Sequence, residues 1–347
     1  MDGVHLSNSD TPDKDLFLLA CDRRDLEKIR ECLALGANVS WQKGSEGWSG
    51  LHIAAFHNYE ELLELLLSQP GVDVNITNKK SSTPLMVACR YGRENIVRRL
   101  CQVNGVELNV RDVDGWTASH FAVNSNKHQC IEILRTLLNI DWNVRDNDGD
   151  YPITLAVRRG YADVLEILLS VPHLDLSVTD FYGRNIVWIA VEYKDGKRQR
   201  CVEILSRDRR VDWNIKNSDG DTPVMFCLKT NKIEMARCLI NTPGVDLDTV
   251  DRDGKYLETI ARDNNLTDML DLLSTFTGPR LRMIQEDSLL SRQSGAMSSL
   301  QSLSRDVVLT SLITSNSQER KVESLVNRLG EDITRQAREV LLTINTI

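Results

Sequence analysis

Residues 112–145 read DVDGWTASHFAVNSNKHQCIEILRTLLNIDWNVR. Asp114-Gly115 supplies a tight turn, because glycine takes up the positive φ that such a reversal often demands. Thr117 follows where a first helix starts, its hydroxyl suited to a terminal hydrogen bond. The small Ala122 predicts close packing of that helix on its neighbours. Cys130, Ile131, Ile133, Leu134, Leu137 and Leu138 recur at helical spacing and predict a second helix. Asp141-Trp142-Asn143-Val144 is expected to be extended and to lead into the next turn. One unit is therefore a hairpin tip, a helix, a short turn, a second helix and an extended return.

The same pattern extends in both directions. Ser49, Thr83, Thr117, Tyr151, Asn185, Thr222 and Tyr256 share one slot, at steps of 34, 34, 34, 34, 37 and 34 residues. Two positions before each stands Gly47, Ser81, Gly115, Gly149, Gly183, Gly220 or Gly254. A fixed period in this range means one supersecondary unit stacked on its copies, since a single unit cannot bury its apolar face alone. The 37-residue step places extra residues near Glu192–Arg198, between the two helices of that unit.

These residues resemble the ankyrin repeat, with its DxxGxTPLHxAA start, a helix ending in LL and a GADVN-like return. GWSGLHIAA, LLELLL and VDVN lie in 44–77; STPLMVACRYG and VELN in 78–111; DNDGDYPITLAVRRG and VLEILL in 146–179. DFYGRNIVWIA and VDWN lie in 180–216, NSDGDTPVMFCLK in 217–250 and DRDGKYLETIARD in 251–274; residues 15–40 resemble a first repeat without its hairpin. The motif's proline is kept at Pro84, Pro152 and Pro223, its histidine at His52 and His120. The resemblance implies an all-α solenoid, helix-turn-helix units with β-hairpin loops, of eight repeats counting both caps. The expected domains are a flexible 1–14, the repeat domain 15–274, a Ser-rich flexible linker 275–317 and an amphipathic helix 318–347. In that last segment Val322, Leu325, Val326, Leu329, Ile333, Ala337, Val340 and Ile344 make one apolar stripe.

The net charge of -8 over 347 residues argues against a nucleic-acid binder, which would show a basic patch or a high pI. The first residues, MDGVHLSNSDTPDKD, lack the basic and apolar regions of a signal peptide, and no apolar run suggests a membrane span. Cys21, Cys32, Cys89, Cys101, Cys130, Cys201, Cys227 and Cys238 stand singly in helical patterns and read as small buried residues of a reducing compartment. The expected location is intracellular and cytoplasmic, with the nucleus open.

No phosphate loop, HExxH or GxSxG is present, so no catalytic residue, metal or cofactor is assigned. His52 and His120 read as structural. The recurrent acids Asp112, Asp114, Asp146, Asp148, Asp150, Asp219, Asp221, Asp251 and Asp253 read as turn formers. The resemblance implies that Asn75, Asn109, Asn143 and Asn214 hydrogen-bond across the hairpin and, since that Asn is hydroxylated in some ankyrin proteins, that they are candidate modification sites.

In ankyrin arrays the residues beside the hairpin glycine and at the end of the first helix line the concave side. Here those slots hold Trp48, Phe56, His57, Arg90, Tyr91, Trp116, Arg158, Arg159, Phe181, Tyr182, Arg184, Glu192 and Tyr193. Trp, Tyr and Arg are enriched among binding hot spots. Trp142, Trp188 and Trp213 are instead expected to pack between units. The resemblance and these slots together imply a non-enzymatic adaptor or scaffold that binds other proteins, with an extended peptide of acidic or phosphorylated and apolar residues suiting the groove. The alternative is a regulatory or targeting subunit whose C-terminal helix docks a second machine.

Overall fold

The structure, a computed structural model, describes residues 13–192 and 197–277. Tyr193, almost all of the segments 1–14 and 275–317, and the expected helix 318–347 lie outside the described residues. The first helix is α1 (Lys14–Arg23), paired with α2 (Leu26–Ala34); β1 (Gln42–Lys43) and β2 (Trp48–Ser49) follow as an antiparallel hairpin with Gln42 opposite Ser49. Seven helix pairs complete the array: α3 (Gly50–His57) and α4 (Glu60–Leu67); α5 (Pro84–Tyr91) and α6 (Glu94–Cys101); α7 (Ala118–Asn124) and α8 (His128–Arg135); α9 (Pro152–Arg159) and α10 (Ala162–Leu169). The last three are α11 (Ile186–Glu192) and α12 (Lys197–Leu205), α13 (Pro223–Lys229) and α14 (Ile233–Ile240), α15 (Leu257–Asp263) and α16 (Thr267–Thr277).

First helices pack on first helices from α1 through α15, and second helices on second helices from α4 through α16. The reason lies in one slot of each first helix. Ala54, Ala88, Ala122, Ala156, Ala190, Cys227 and Ala261 are all 0% exposed, and their small side chains let neighbouring backbones approach to core packing density. Six first helices then stop in a left-handed residue at the equivalent position, Asn58, Gly92, Asn126, Gly160, Asn231 or Asn265, the types that tolerate it, and α1 stops in left-handed Arg24. The free carbonyls at these ends take donors from the next unit, as Arg93 Nε donates to the Phe56 carbonyl at 2.9 Å and Arg198 Nε to the Val157 carbonyl at 3.2 Å.

The hairpin tips are narrower than expected. Among the described residues β1–β2 is the one strand pair and Val250–Tyr256 the one isolated bridge; at other tips Asp112 N donates to the Trp116 carbonyl at 2.9 Å and Gly115 N to the Asp112 carbonyl at 3.0 Å, and Asp180 N with the Arg184 carbonyl and Gly183 N with the Asp180 carbonyl repeat both bonds at 3.0 Å. The side chain of the leading Asp or Asn completes the turn. Asp112 Oδ1 accepts from Asp114 and Trp116, Asp180 Oδ1 from Tyr182 and Arg184, and Asn217 Oδ1 from Asp219 and Asp221. These acids and amides are turn formers, as their recurrence predicts.

The returns differ from the extended form expected. Asn143 N donates to Asp141 Oδ1 at 2.8 Å, which curls the return into a turn, and Leu137 and Leu138 lie beyond the end of α8, Leu138 being 98% exposed. The return asparagines bond forward to the next unit, not across their own hairpin. Asn75 Nδ2 donates to the Gly105 carbonyl and its Oδ1 accepts from Glu107 N; Asn109, Asn143 and Asn214 repeat both bonds. Trp142, Trp188 and Trp213 are buried between units, and Trp188 Nε1 donates to the Ile215 carbonyl at 2.8 Å. Among the described residues no helix is long and apolar enough to cross a membrane.

Candidate partner-binding face

In units two and five to eight the residue just before the first-helix cap meets the residue at that helix's end, eight positions later. In unit two the pair is Trp48 and Phe56, rings edge to face at 5.0 Å. In units five to eight it is an ion pair: Asp150–Arg158 at 2.6 Å, Arg184–Glu192, Asp221–Lys229 at 2.6 Å and Lys255–Asp263 at 2.6 Å. Units three and four hold Ser82 with Arg90 and Trp116 with Asn124. The face is thus aromatic in its N-terminal half and charge-paired in its C-terminal half.

The aromatic half is continuous. Trp48 meets Phe56, Phe56 meets Tyr91 at 4.6 Å, the Arg90 guanidinium lies 5.7 Å from the Tyr91 ring centre and 6.0 Å from that of Phe121, and Phe121 meets Trp116 at 5.1 Å. Trp48, Phe56, Tyr91 and Trp116 are half-buried, so each ring is held by neighbours while one side stays open to solvent. The Trp48 Nε1 and Asn124 Oδ1 atoms are buried without a hydrogen-bond partner.

The arginines fare differently from one another. Arg158 bonds Asp150 and reaches Asp180 of the next unit at 3.3 Å, while Arg184 bonds Asp180 at 2.6 Å and Glu192. Burial alone would raise the Asp180 carboxyl, but the Arg184 hydrogen bonds outweigh it and hold the group below its ordinary value. Lys229 bridges Asp221 and Asp251 in the same way, at 2.6 and 2.8 Å. Arg90 and Arg159 are exposed. His57 is half-buried, with Nε2 3.1 Å from Asp22 Oδ1. Phe181 and Tyr182 are 70% and 75% exposed at one tip, with Arg184 over the Tyr182 ring at 4.8 Å, and no ring contact among the described residues joins them to the aromatic half.

The pairing across eight positions was a missed signal. Opposite charges at the two slots, Asp150/Arg158, Arg184/Glu192, Asp221/Lys229 and Lys255/Asp263, stand in the sequence at constant separation.

The two motif histidines are structural. His52 is 0% exposed; its Nδ1 accepts from Ser49 N at 3.3 Å, which leaves Nε2–H to donate to the Ser82 carbonyl of the next unit at 2.9 Å. His120 repeats this with Thr117 N at 3.2 Å and the Asp150 carbonyl at 3.4 Å. Burial holds both imidazoles neutral, pulling each down to about 4. The cysteines are buried or half-buried, and burial pushes the Cys21 and Cys227 thiols up to about 12, far from the thiolate that reactivity needs. Among the described residues no three His, Cys, Asp or Glu side chains gather as a metal site would need.

A family model described as ankyrin repeats (3 copies) matches residues 51–146 and 131–217. The 2-5A-dependent ribonuclease of Homo sapiens is 34% identical over 80 residues, 23% of this chain and 11% of that protein. The SMC5-SMC6 complex localization factor protein 1 of Bos taurus is 39% identical over 62 residues, 18% of this chain and 6% of that protein. The I-Kappa-B like protein I1 of Microplitis demolitor bracovirus (isolate Webb) is 36% identical over 63 residues, 18% of this chain and 38% of that protein. The chain therefore spans well under half the length of these relatives. Among solved structures, the ankyrin repeat domain of Bcl-3, a member of the IkappaB protein family, matches with a TM-score of 0.57 at 21% identity, over 67% of this chain and 99% of that one.

Proposed function

Because this chain is built of ankyrin repeats, we propose that it is a non-enzymatic adaptor or scaffold that binds a partner protein on its concave face, chiefly on the N-terminal half. The observation that carries this reading is the unbroken run of contacts from Trp48 through Phe56, Tyr91, Arg90 and Phe121 to Trp116. Half-buried aromatics held rigidly in one row lose little side-chain entropy when a partner covers them, which makes them effective anchors. Arg158, Lys229 and Arg184 support the same division of the face, since each is already paired with carboxylates of the array. Cysteines that stand singly along the chain and are buried, such as Cys21, Cys89, Cys130 and Cys227, suit a reducing intracellular compartment.

The test is affinity capture from cells with the full chain, with Tyr91→Ala/Trp116→Ala, and with Arg207→Ala, which changes an exposed side chain in the turn after α12. Proteins lost with the double variant and kept with Arg207→Ala support the face. Equal capture by all three forms, with circular dichroism showing each folded, sinks it.

A further inference from the structure

What docks on the face has a chemistry that one unmatched cation defines, and the argument rests on the concave-face reading above. In units five and seven the cation at the end of the first helix is held twice. Arg158 has Asp150 of its own unit and Asp180 of the next, and Lys229 has Asp221 and Asp251. Arg90 fills that slot in unit three, where Ser82 replaces the acid of its own unit and the acid of the next tip, Asp112, forms no ion pair with it among the described residues. The residue across from it is Ser82, buried, with its N–H on Asn78 and its carbonyl on His52. The leading residue of the next tip is Asp112, whose Oδ1 accepts from Asp114 and Trp116. Arg90 is exposed, touches the faces of Tyr91 and Phe121, and forms no ion pair among the described residues.

A guanidinium fixed between two rings, and short of the carboxylates its counterparts have, is preorganised to receive one. The rings orient the planar fork and shield part of it from water, which strengthens a charge-assisted hydrogen bond to an arriving anion. We propose that Arg90 anchors a carboxylate of the partner, carried by an Asp or Glu of an extended segment whose flanking apolar side chains rest on Trp116 at one side and on Tyr91 and Phe56 at the other. The acid completes in trans the pairing that Asp150 and Asp221 supply internally elsewhere in the stack.

Short random peptides displayed on phage are panned against the full chain, and enriched peptides, synthesised with a fluorophore, are titrated against wild type, Arg90→Glu and Trp116→Ala, all shown folded by thermal melting. The expected result is enrichment of Asp or Glu beside Leu, Phe or Trp, with affinity weakened by at least about tenfold in Arg90→Glu. Changing the peptide's acid to its amide should weaken wild-type binding to a similar extent and leave Arg90→Glu binding no weaker, or tighter, because the amide removes the repulsion between two carboxylates; the opposite responses show that the two groups act on each other. Enrichment of peptides without acids, absence of any enrichment, or unchanged affinity in Arg90→Glu each overturns the carboxylate anchor. Tighter binding of a peptide with phosphoserine in place of its acid also overturns it, in favour of a phosphate. Loss in Trp116→Ala without loss in Arg90→Glu overturns the anchor and leaves the concave face standing, whereas no loss in either overturns both.

Discussion

The guanidinium of Arg158 lies 2.6 Å from the carboxylate of Asp150, eight positions back along the chain, and extends to Asp180 of the next unit at 3.3 Å. The side chains of Asp150 and Asp180 are 9% and 0% exposed, so neither acid can turn to water if the cation is removed. Arg158→Gln should therefore destabilise the array by about 2 kcal/mol, most of it the cost of buried carboxylates left short of a partner. Urea unfolding followed by circular dichroism measures it, with Arg159→Gln, one position on and exposed, as the control expected within about 0.5 kcal/mol of wild type. Equal losses in the two variants would show that the pair contributes nothing specific.

The reversed pair at the last unit gives the contrasting case. Lys255 and Asp263 stand 2.6 Å apart with 43% and 47% of their side chains exposed, so either single reversal should cost far less than Arg158→Gln. Units five and seven carry the opposite polarity in the same two slots, which shows that the backbone accepts either order. The double exchange Lys255→Asp/Asp263→Lys should therefore recover the wild-type urea midpoint. A double variant less stable than both single ones would mean that the order is dictated by something besides the pair.

Acid should act on the stack first through its histidines. His52 and His120 are neutral in the folded chain down to about 4, against an ordinary value of 6.5 that the unfolded chain restores. The unfolded state then binds more protons between those values, so stability is complete above about pH 6.5 and falls as pH drops towards 4, by up to about 3 kcal/mol for each imidazole. Asp180 and Asp251, held below the ordinary 3.8, add their own loss only at lower pH, as the solution passes down through their folded values. Urea midpoints at pH 7 and pH 5 should separate clearly for wild type and draw together for His52→Ala/His120→Ala. An undiminished separation in the double variant would place the acid sensitivity elsewhere.

The stack was legible because its requirements recur: the cap residue of the first helix, the glycine two positions before it and the acids of the tips repeat at nearly one spacing, and repetition separates need from accident. The burial of Trp142 and Trp188 was legible for the same reason, from a return slot and a helix interior. The face was legible only as a set of positions. Arg90, Arg158 and Arg184 share a residue type and a region of the unit, yet one is exposed between rings and two are ion-paired, and the difference lies in what occupies the slot eight residues away. Residue type alone carries no information about that partner. Which tips pair as strands was not legible, because glycine and aspartate mark a reversal equally well whether or not strand pairing flanks it.

Ser81 is the exception that tests the slot two before each first-helix cap. It holds φ at 59°, where the other units place glycine, and an L-residue pays for that conformation through its Cβ. Ser81→Gly should relieve the strain and, after the greater entropy of glycine in the unfolded chain is subtracted, stabilise the protein by about 0.5 kcal/mol. The reverse change separates strain from crowding. At Gly183, φ is 73° and an added Cβ would meet nothing within 4 Å, so Gly183→Ala should cost only the left-handed conformation, about 1 kcal/mol. At Gly149, φ is 87° and the added Cβ would lie 2.6 Å from the backbone nitrogen of Phe181, an atom fixed by the next tip. Gly149→Ala should therefore cost at least about 1 kcal/mol more than Gly183→Ala, because two neighbouring tips must separate to admit the methyl group. Equal losses at the two positions, measured by urea unfolding, would mean that adjacent tips yield freely and that the slot is conserved along the stack for backbone conformation alone.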